Sequence, residues 1–197
     1  MRKRDDVKTE LVKEQAIKML VETGFDGFSM QKLAKVCNIS VATLYIYYQH
    51  KEDLISKIGM EESNKMFAAT LKNFSPDLSF ADGLKLQWEN RAKFSLQNDL
   101  SARLIEMLWN SPYAENIFEN SDNQIKDMLG KHLKNAVANK QLIPIKSFFI
   151  FWSLAYGPLY ALIRFHQENK TAFGKNFKFN NQVMHQTLEI VLKGLTP

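Results

Sequence analysis

The sequence has few of the residues that build cross-linked, metal-bound or phosphate-binding sites. Its one cysteine, Cys37, excludes a disulfide between two residues of the chain and suits a reducing cytoplasm, where we expect the protein. The four histidines have no metal-ligand spacing with one another or with Cys37, so we predict no metal and no other cofactor. A glycine-rich phosphate loop, a nucleophile elbow and a distinctive carboxylate pair are also missing, which argues against an enzyme.

Proline, glycine and long apolar runs are scarce as well. Five prolines, eight glycines and no strand-like alternation of useful length favour an all-α fold. The longest uncharged run, residues 147–163, has 17 residues and contains Gly157 and Pro158. A membrane span needs about 20 apolar residues, so we predict instead a buried helix with a kink at Gly157-Pro158. Charged residues follow the basic start of the chain, so we expect neither a secretory signal nor a membrane partner.

The net charge of +5 indicates an anionic partner only weakly, because of where the charges fall. Residues 1–60 carry ten Lys/Arg and eight Asp/Glu, residues 61–130 seven and eleven, and residues 131–197 nine and two. The basic excess therefore lies mainly in the last third of the chain. Charge alone does not locate a nucleic-acid-binding part.

Residues 29–54, SMQKLAKVCNISVATLYIYYQHKEDL, predict two short helices joined by a tight turn. Met30, Leu33, Ala34 and Cys37 form one apolar stripe at helical spacing, with Ser29 placed to cap that helix. The two residues that follow the stripe, Asn38 and Ile39, suit a left-handed turn and a corner plug. Ser40 is placed to cap the second helix, residues 41–48.

The second helix has one face for packing and one for a partner. Leu44 and Tyr48 share the predicted packing face. The other face carries Ala42, Thr43, Ile46 and Tyr47, with Tyr45 at the flank. Helix, short turn and presented helix make the helix-turn-helix arrangement, whose second helix enters the DNA major groove.

At these residues the chain resembles the TetR family of bacterial one-component transcriptional regulators. The matching positions are Ser29, Leu33-Ala34, Ile39-Ser40, Thr43-Leu44-Tyr45, Tyr47 and Lys51-Glu52 with Leu54. The chain departs from the family pattern with Cys37 for Ala, Asn38 for Gly, Ala42 for the commoner Gly and Tyr48 for Phe. Each departure keeps the size or the backbone freedom that its position needs.

The resemblance implies a fold, a partner and residue roles. It implies a small N-terminal three-helix DNA-binding domain, residues 1–54, joined to a C-terminal helical ligand-binding and dimerisation domain, residues 55–197. The implied DNA contacts are Ser29, Gln31, Val41, Ala42, Thr43, Tyr45, Ile46, Tyr47 and Lys51. It also implies a homodimer formed through the two C-terminal helices, residues 147–166 and 180–194, on a near-palindromic double-stranded operator.

The rest of the chain is predicted to be helical and rich in aromatic residues and methionine. The predicted helices are residues 5–23, 51–73, 79–97, 101–111, 114–139, 147–169 and 180–194. Cavities between facing helices are lined by such residues, although each one is also an ordinary core residue. The candidate ligand-binding residues are Trp88, Met107, Trp109, Met128, His132, Trp152 and Tyr156, and the polar Arg91, Asn110, Arg164 and His166 could face the same cavity.

We therefore predict a sequence-specific transcriptional regulator, most simply a repressor released from its operator by a hydrophobic or amphipathic small molecule. Three alternatives stay open at this point. The chain could be a helical carrier of apolar molecules without specific DNA binding, or an enzyme built on helices, or an activator. The carrier would show affinity for its ligand but no salt-dependent affinity for DNA.

Overall fold

The computed structural model describes residues 2–119, 123–168 and 176–197, without the side chains of residues 2–8, 118, 123 and 124. All regular structure in this part of the chain is α-helical, which confirms the predicted class. The helices are α1 (Arg2–Gly27), α2 (Met30–Val36), α3 (Val41–Tyr47), α4 (Lys51–Thr70), α5 (Phe80–Gln97), α6 (Asp99–Trp109), α7 (Ala114–Glu119), α8 (Asn123–Ala138), α9 (Phe148–Ala155), α10 (Gly157–Glu168) and α11 (Asn181–Leu195).

The helices form two compact units. Unit one contains Met1–Lys65 and Asn98–Ser121, and unit two contains Met66–Gln97 and Asp122–Pro197. Residues 98–121, which the sequence groups with the C-terminal part, thus pack within unit one. The division after residue 54 into a DNA-binding and a ligand-binding domain stays a prediction.

Unit one is built on an apolar core to which every helix of the unit contributes. Ala16 and Leu20 of α1, Leu33 of α2, Leu44 of α3 and Leu104 of α6 are all fully buried. The predicted end of the first helix at Gly24 is confirmed, because the backbone of Gly24 is not helical, with φ 69° and ψ 178°. Glycine adopts this φ without a Cβ clash, and the residues of α1 after Gly24 form a separate short segment that ends at Gly27.

Unit two packs α5, α8, α9, α10 and α11 around a second core. Phe80, Leu84 and Trp88 on α5 are buried there, where α5 contacts α8, α10 and α11. The predicted kink at Gly157-Pro158 is confirmed, because α9 and α10 are separate helices bent by 47°. No single helix among the described residues is long and apolar enough to cross a membrane, and only this bent pair reaches the required length and composition.

Candidate functional site

The helix-turn-helix of unit one is held together by short-range polar contacts that its sequence predicts. Ser29 caps α2, and its Oγ accepts the N–H of Lys32 at 3.2 Å. Asn38 adopts the left-handed backbone with φ 52°. Ser40 caps α3, where its Oγ accepts the N–H of Thr43 at 3.1 Å and lies 2.8 Å from the Thr43 hydroxyl. Each cap satisfies a donor that the first turn of a helix leaves unpaired, so both helices start at defined residues.

Helix α3 buries one face and presents the other. Leu44 is fully buried and Tyr48 is 8% exposed, which confirms both as packing residues. On the outer face, Tyr45 and Tyr47 are about half exposed, and Ile46 is 76% exposed. Three large side chains exposed side by side on one capped, packed helix mark a candidate surface for a partner.

The other predicted DNA contacts on α2, on α3 and at the cap of α2 differ in how far their side chains are exposed. Ala42 and Gln31 are exposed, whereas Ser29, Val41 and Thr43 are half-buried. We call the exposed outer face of α3 the recognition surface; it consists of Ala42, Tyr45, Ile46 and Tyr47. This surface combines two phenol groups, which donate and accept hydrogen bonds, with apolar groups that can contact a thymine methyl.

Lys51, one of the implied DNA contacts, already makes a hydrogen bond within unit one. Its Nζ donates to the carbonyl oxygen of Phe25 at 2.6 Å. Phe25 lies in the last turn of α1, where carbonyls lack an intrahelical partner, so Lys51 supplies the missing donor. An ammonium group has three donors, and one bond leaves capacity for a phosphate.

The start of α4 ties the C-terminal end of α3 in place. Asp53 accepts the backbone N–H of Gln49 at 2.8 Å and the ammonium of Lys57 at 3.0 Å. The Gln49 bond, followed by the Lys57 bond, holds the pKa of Asp53 below its ordinary value. Lys57 also donates to the carbonyl of Tyr47 at 3.2 Å and lies 5.6 Å from the centre of the Tyr48 ring. These contacts limit the freedom of the recognition surface to move against α4.

The predicted ligand-binding residues do not all belong to one unit. Met107 and Trp109 lie on α6 in unit one, whereas the other five lie in unit two. Met128 and His132 lie on α8. Trp88 lies on α5, Trp152 lies on α9, and Tyr156 directly follows α9. The seven candidates therefore fall in both units, and a cavity lined by all of them stays a prediction.

His132 has the surroundings of a core residue. Its ring lies edge-on to Phe74 and stacked on Phe80, and its Nδ1 is 3.4 Å from the carbonyl oxygen of Pro76. Burial lowers the pKa of His132, which favours the neutral ring. Gly83 makes room for this ring, because a Cβ at that position would stand 2.5 Å from the His132 Nε2.

Three of the candidates lie around the bend between α9 and α10 in unit two, where Trp88 and Tyr156 are buried and Trp152 is half-buried; with the half-buried Tyr160 they make up the aromatic cluster of unit two. The rings of Trp152 and Tyr156 are 4.8 Å apart, and the Tyr156 hydroxyl donates to the Gln87 side-chain oxygen at 2.7 Å. The Trp88 indole donates at 2.7 Å to the carbonyl of Ala155, the last residue of α9. That carbonyl has lost its helical partner at the bend.

Arg91 lies at the centre of this cluster with a side chain that is 1% exposed. Its guanidinium carbon is 4.4 Å from the centre of the Tyr156 ring and 5.1 Å from that of Trp152. Arg91 is among the polar groups predicted to face a cavity, whereas Gln87 is not. The available signal for Gln87 was its position four residues before Arg91 on the same helix, with Trp88 three residues before Arg91.

Comparisons with known proteins agree with this architecture. Residues 13–58 match the family model described as bacterial regulatory proteins, tetR family. The structure of a TetR family transcription regulator from Marinobacter aquaeolei VT8 superposes with a TM-score of 0.85 at 23% identity and covers 100% of this chain and 99% of that chain. A TetR-family transcriptional regulator from Haemophilus influenzae RD superposes with a TM-score of 0.77 at 18% identity and covers 100% of both chains.

Two curated relatives match parts of the sequence. An uncharacterized HTH-type transcriptional regulator of Haemophilus influenzae is 27% identical over 107 residues, 54% of this chain and 57% of the relative. The uncharacterized HTH-type regulator YuxN of Bacillus subtilis is 32% identical over 87 residues, 42% of this chain and 30% of the relative. The matches thus span about half, or less, of the relatives' lengths. Both relatives are described as HTH-type transcriptional regulators.

Proposed function

We propose that this chain, whose residues 13–58 match the tetR family of bacterial regulatory proteins, is a member of that family and a repressor that leaves its operator when a small effector binds. The match over residues 13–58 and the two HTH-type relatives support a transcriptional regulator with a helix-turn-helix DNA-binding domain. Repression and release by an effector are the further steps that we propose. The observation that carries the DNA-binding part is the recognition surface, an exposed face on a helix that is capped at Ser40 and anchored by Leu44.

In this proposal, α3 enters the major groove and its neighbours contact the backbone of the DNA. Tyr45, Tyr47 and Thr43 supply hydroxyl groups to base edges or phosphates, and Val41, Ala42 and Ile46 supply apolar contacts. Ser29, Gln31 and Lys51 contact phosphates and set the position of the helix in the groove.

The active form we propose is a homodimer on a near-palindromic site. Helices α9 and α11 pack on each other within unit two and still carry exposed apolar residues, with Phe149 82% and Ile190 71% exposed. Phe148, Ile150 and Leu154 on α9 are also exposed. A second copy that covers this face would bring two recognition surfaces to half-sites about one helical turn, or a multiple of it, apart.

Release by an effector follows from linkage. A ligand that binds better to a conformer with poor operator affinity lowers that affinity by the same factor by which DNA weakens ligand binding. Helix α4 runs from unit one into unit two, because Lys65 and Met66 lie on the same helix. A change in unit two can therefore reach the helix-turn-helix along α4, and the aromatic cluster of unit two is where we place an amphipathic effector.

Selection of bound fragments from the source genome tests this proposal directly. We expect enrichment of a near-palindrome whose affinity falls steeply as salt rises. The double substitution Thr43→Ala with Tyr47→Ala should abolish specific binding and leave the dimer intact in sedimentation. Lys93→Met, an exposed change on α5, is the control and should keep specific binding.

Two outcomes would contradict the proposal. A double variant that shifts the selected fragment at wild-type affinity would exclude α3 as the reading helix. A wild-type chain with weak binding and no preferred sequence would favour the carrier of apolar molecules instead.

A further inference from the structure

Arg91 has a buried guanidinium group with hydrogen-bonding capacity that the described residues leave unused. Its Nη1 donates to the Tyr160 hydroxyl oxygen at 2.7 Å. Its Nε and Nη2 are buried and have no hydrogen-bond partner among the described residues. Burying a charged donor without a partner is costly, and the cost grows when no opposite charge lies beside it.

The two unpaired nitrogens are the pair that binds a carboxylate. Nε–H and one Nη2–H point in parallel from the same edge of the planar guanidinium group, and this fork matches the two oxygens of a carboxylate. Nη1 lies on the other edge and is already bonded to Tyr160. One edge of Arg91 is therefore bonded to the protein, whereas the bidentate edge is buried and unpaired.

The aromatic rings beside Arg91 hold the plane of its guanidinium group but supply no negative charge to neutralise it. The Tyr156 and Trp152 rings lie 4.4 Å and 5.1 Å from the guanidinium carbon, within the range of cation–π attraction. Burial raises the pKa of Tyr156 to about 12, so its hydroxyl stays protonated and supplies no negative charge. Its proton is also committed, because the Tyr156 hydroxyl donates to Gln87.

We propose that Arg91 anchors the carboxylate of an organic acid whose apolar body packs against the rings of Trp152 and Tyr160. These two rings are half-buried and stacked at 6.4 Å. A singly charged carboxylate balances the charge of Arg91, whereas a doubly charged phosphate would bury an excess negative charge. This inference rests on the proposed function and gives its effector a chemical class.

The position of the anchor also suggests how such an acid affects unit two. Arg91 contacts Tyr156, the residue between α9 and α10, and Trp88 on the same helix bonds the last carbonyl of α9. A carboxylate on Arg91 therefore lies at the 47° bend between α9 and α10. Helix α9 carries part of the apolar face that we assign to the dimer.

Calorimetric titration of the full chain without DNA tests the site. The probes are decanoate, 4-phenylbutyrate and 2-naphthoate, each paired with its uncharged alcohol, and inorganic phosphate. We expect saturable binding of at least one carboxylate, with its alcohol at least about tenfold weaker. Loss of one charge-assisted contact corresponds to roughly 10- to 100-fold, so Arg91→Met should weaken the carboxylate by that factor. Lys93→Met removes the same charge from the exposed face of α5 and should leave the affinity unchanged.

A second variant keeps the test decisive if Arg91→Met does not fold. Arg91→Lys retains the charge but loses the planar fork, and it should also weaken the carboxylate by about tenfold or more. Equal affinity in the wild type and a folded Arg91 variant would overturn the inference, as would no binding by any of the three acids at millimolar concentration. Phosphate that displaces the acid at equal concentration would overturn the choice of a carboxylate.

The two proposals fail in different experiments. Carboxylate binding that depends on Arg91, in a chain that selects no DNA sequence, would leave this site standing and refute the repressor. Selection of an operator by a chain that binds none of the acids would support the repressor and refute the carboxylate site.

Discussion

Leu44 and Ile46 lie two residues apart on α3, and alanine at each position should affect different properties of the protein. Leu44 is fully buried in the core of unit one, whereas Ile46 is 76% exposed on the recognition surface. We predict that Leu44→Ala destabilises unit one, and that Ile46→Ala weakens operator binding at nearly unchanged stability.

The expected magnitude follows from how α3 is held. The helix has seven residues, and Leu44 is its one buried residue. Truncating a fully buried leucine costs about 2–5 kcal/mol, which includes the lost transfer free energy and the cavity left behind. Substituting an exposed residue usually changes the free energy of unfolding by no more than about 0.5 kcal/mol. The difference between the two variants should therefore be at least about 1.5 kcal/mol.

Hydrogen exchange in the segment 29–48 measures this difference within unit one, whatever the stability of unit two. Faster exchange in Leu44→Ala and wild-type exchange in Ile46→Ala are the expected results. Urea unfolding followed by circular dichroism gives the loss for the whole chain, and titration of the selected operator gives the loss in DNA affinity for Ile46→Ala.

Either of two results would refute the reasoning. A Leu44→Ala protein with wild-type exchange over residues 29–48 would mean that Leu44 does not anchor α3. An Ile46→Ala protein as unstable as Leu44→Ala would mean that Ile46 is buried and that α3 presents another face.

Two further predictions concern single polar contacts. Trp88→Phe leaves the buried carbonyl of Ala155 without its donor and should lower the free energy of unfolding by about 1–3 kcal/mol; an unchanged urea midpoint would contradict this. Asp53 has a pKa below its ordinary value of 3.8 because of its bonds to the Gln49 N–H and to Lys57. Its stabilisation is therefore present above about pH 4 and is lost as the pH falls through the folded-state pKa. The stability gap between wild type and Asp53→Asn should shrink on acidification, and a constant gap from pH 6 to pH 2 would contradict the assignment.

Local chemistry explains why the helix-turn-helix could be predicted residue by residue. The caps at Ser29 and Ser40 bond a residue three positions away, and the left-handed Asn38 is a property of one backbone position. The burial of Leu44 and Tyr48 follows from their shared face on one short helix. The kink at Gly157-Pro158 was equally accessible, because it depends on the covalent geometry of proline.

Contacts between residues far apart in the sequence could not be predicted from local patterns. The bonds from Trp88 to Ala155 and from Arg91 to Tyr160 join residues 67 and 69 positions apart. Hydrophobic periodicity identifies the buried face of a helix, but it does not identify the helix that packs against that face. The seven candidate ligand residues, chosen for their aromatic and methionine content, fall in both units, as do the residues assigned to the C-terminal part; the ligand site and the domain division stay predictions.

The sequence by itself determined the helical class, the capped helix-turn-helix and its exposed recognition surface, since those depend on contacts within a few residues. Tertiary structure alone decided that Lys51 supplies a donor to the carbonyl of Phe25 and that His132 packs between Phe74 and Phe80. It also decided that Arg91 is buried among aromatic rings with its bidentate edge unpaired. The physical reason is that burial and pairing of a side chain depend on every segment that packs around it, and those segments meet only when the chain is folded.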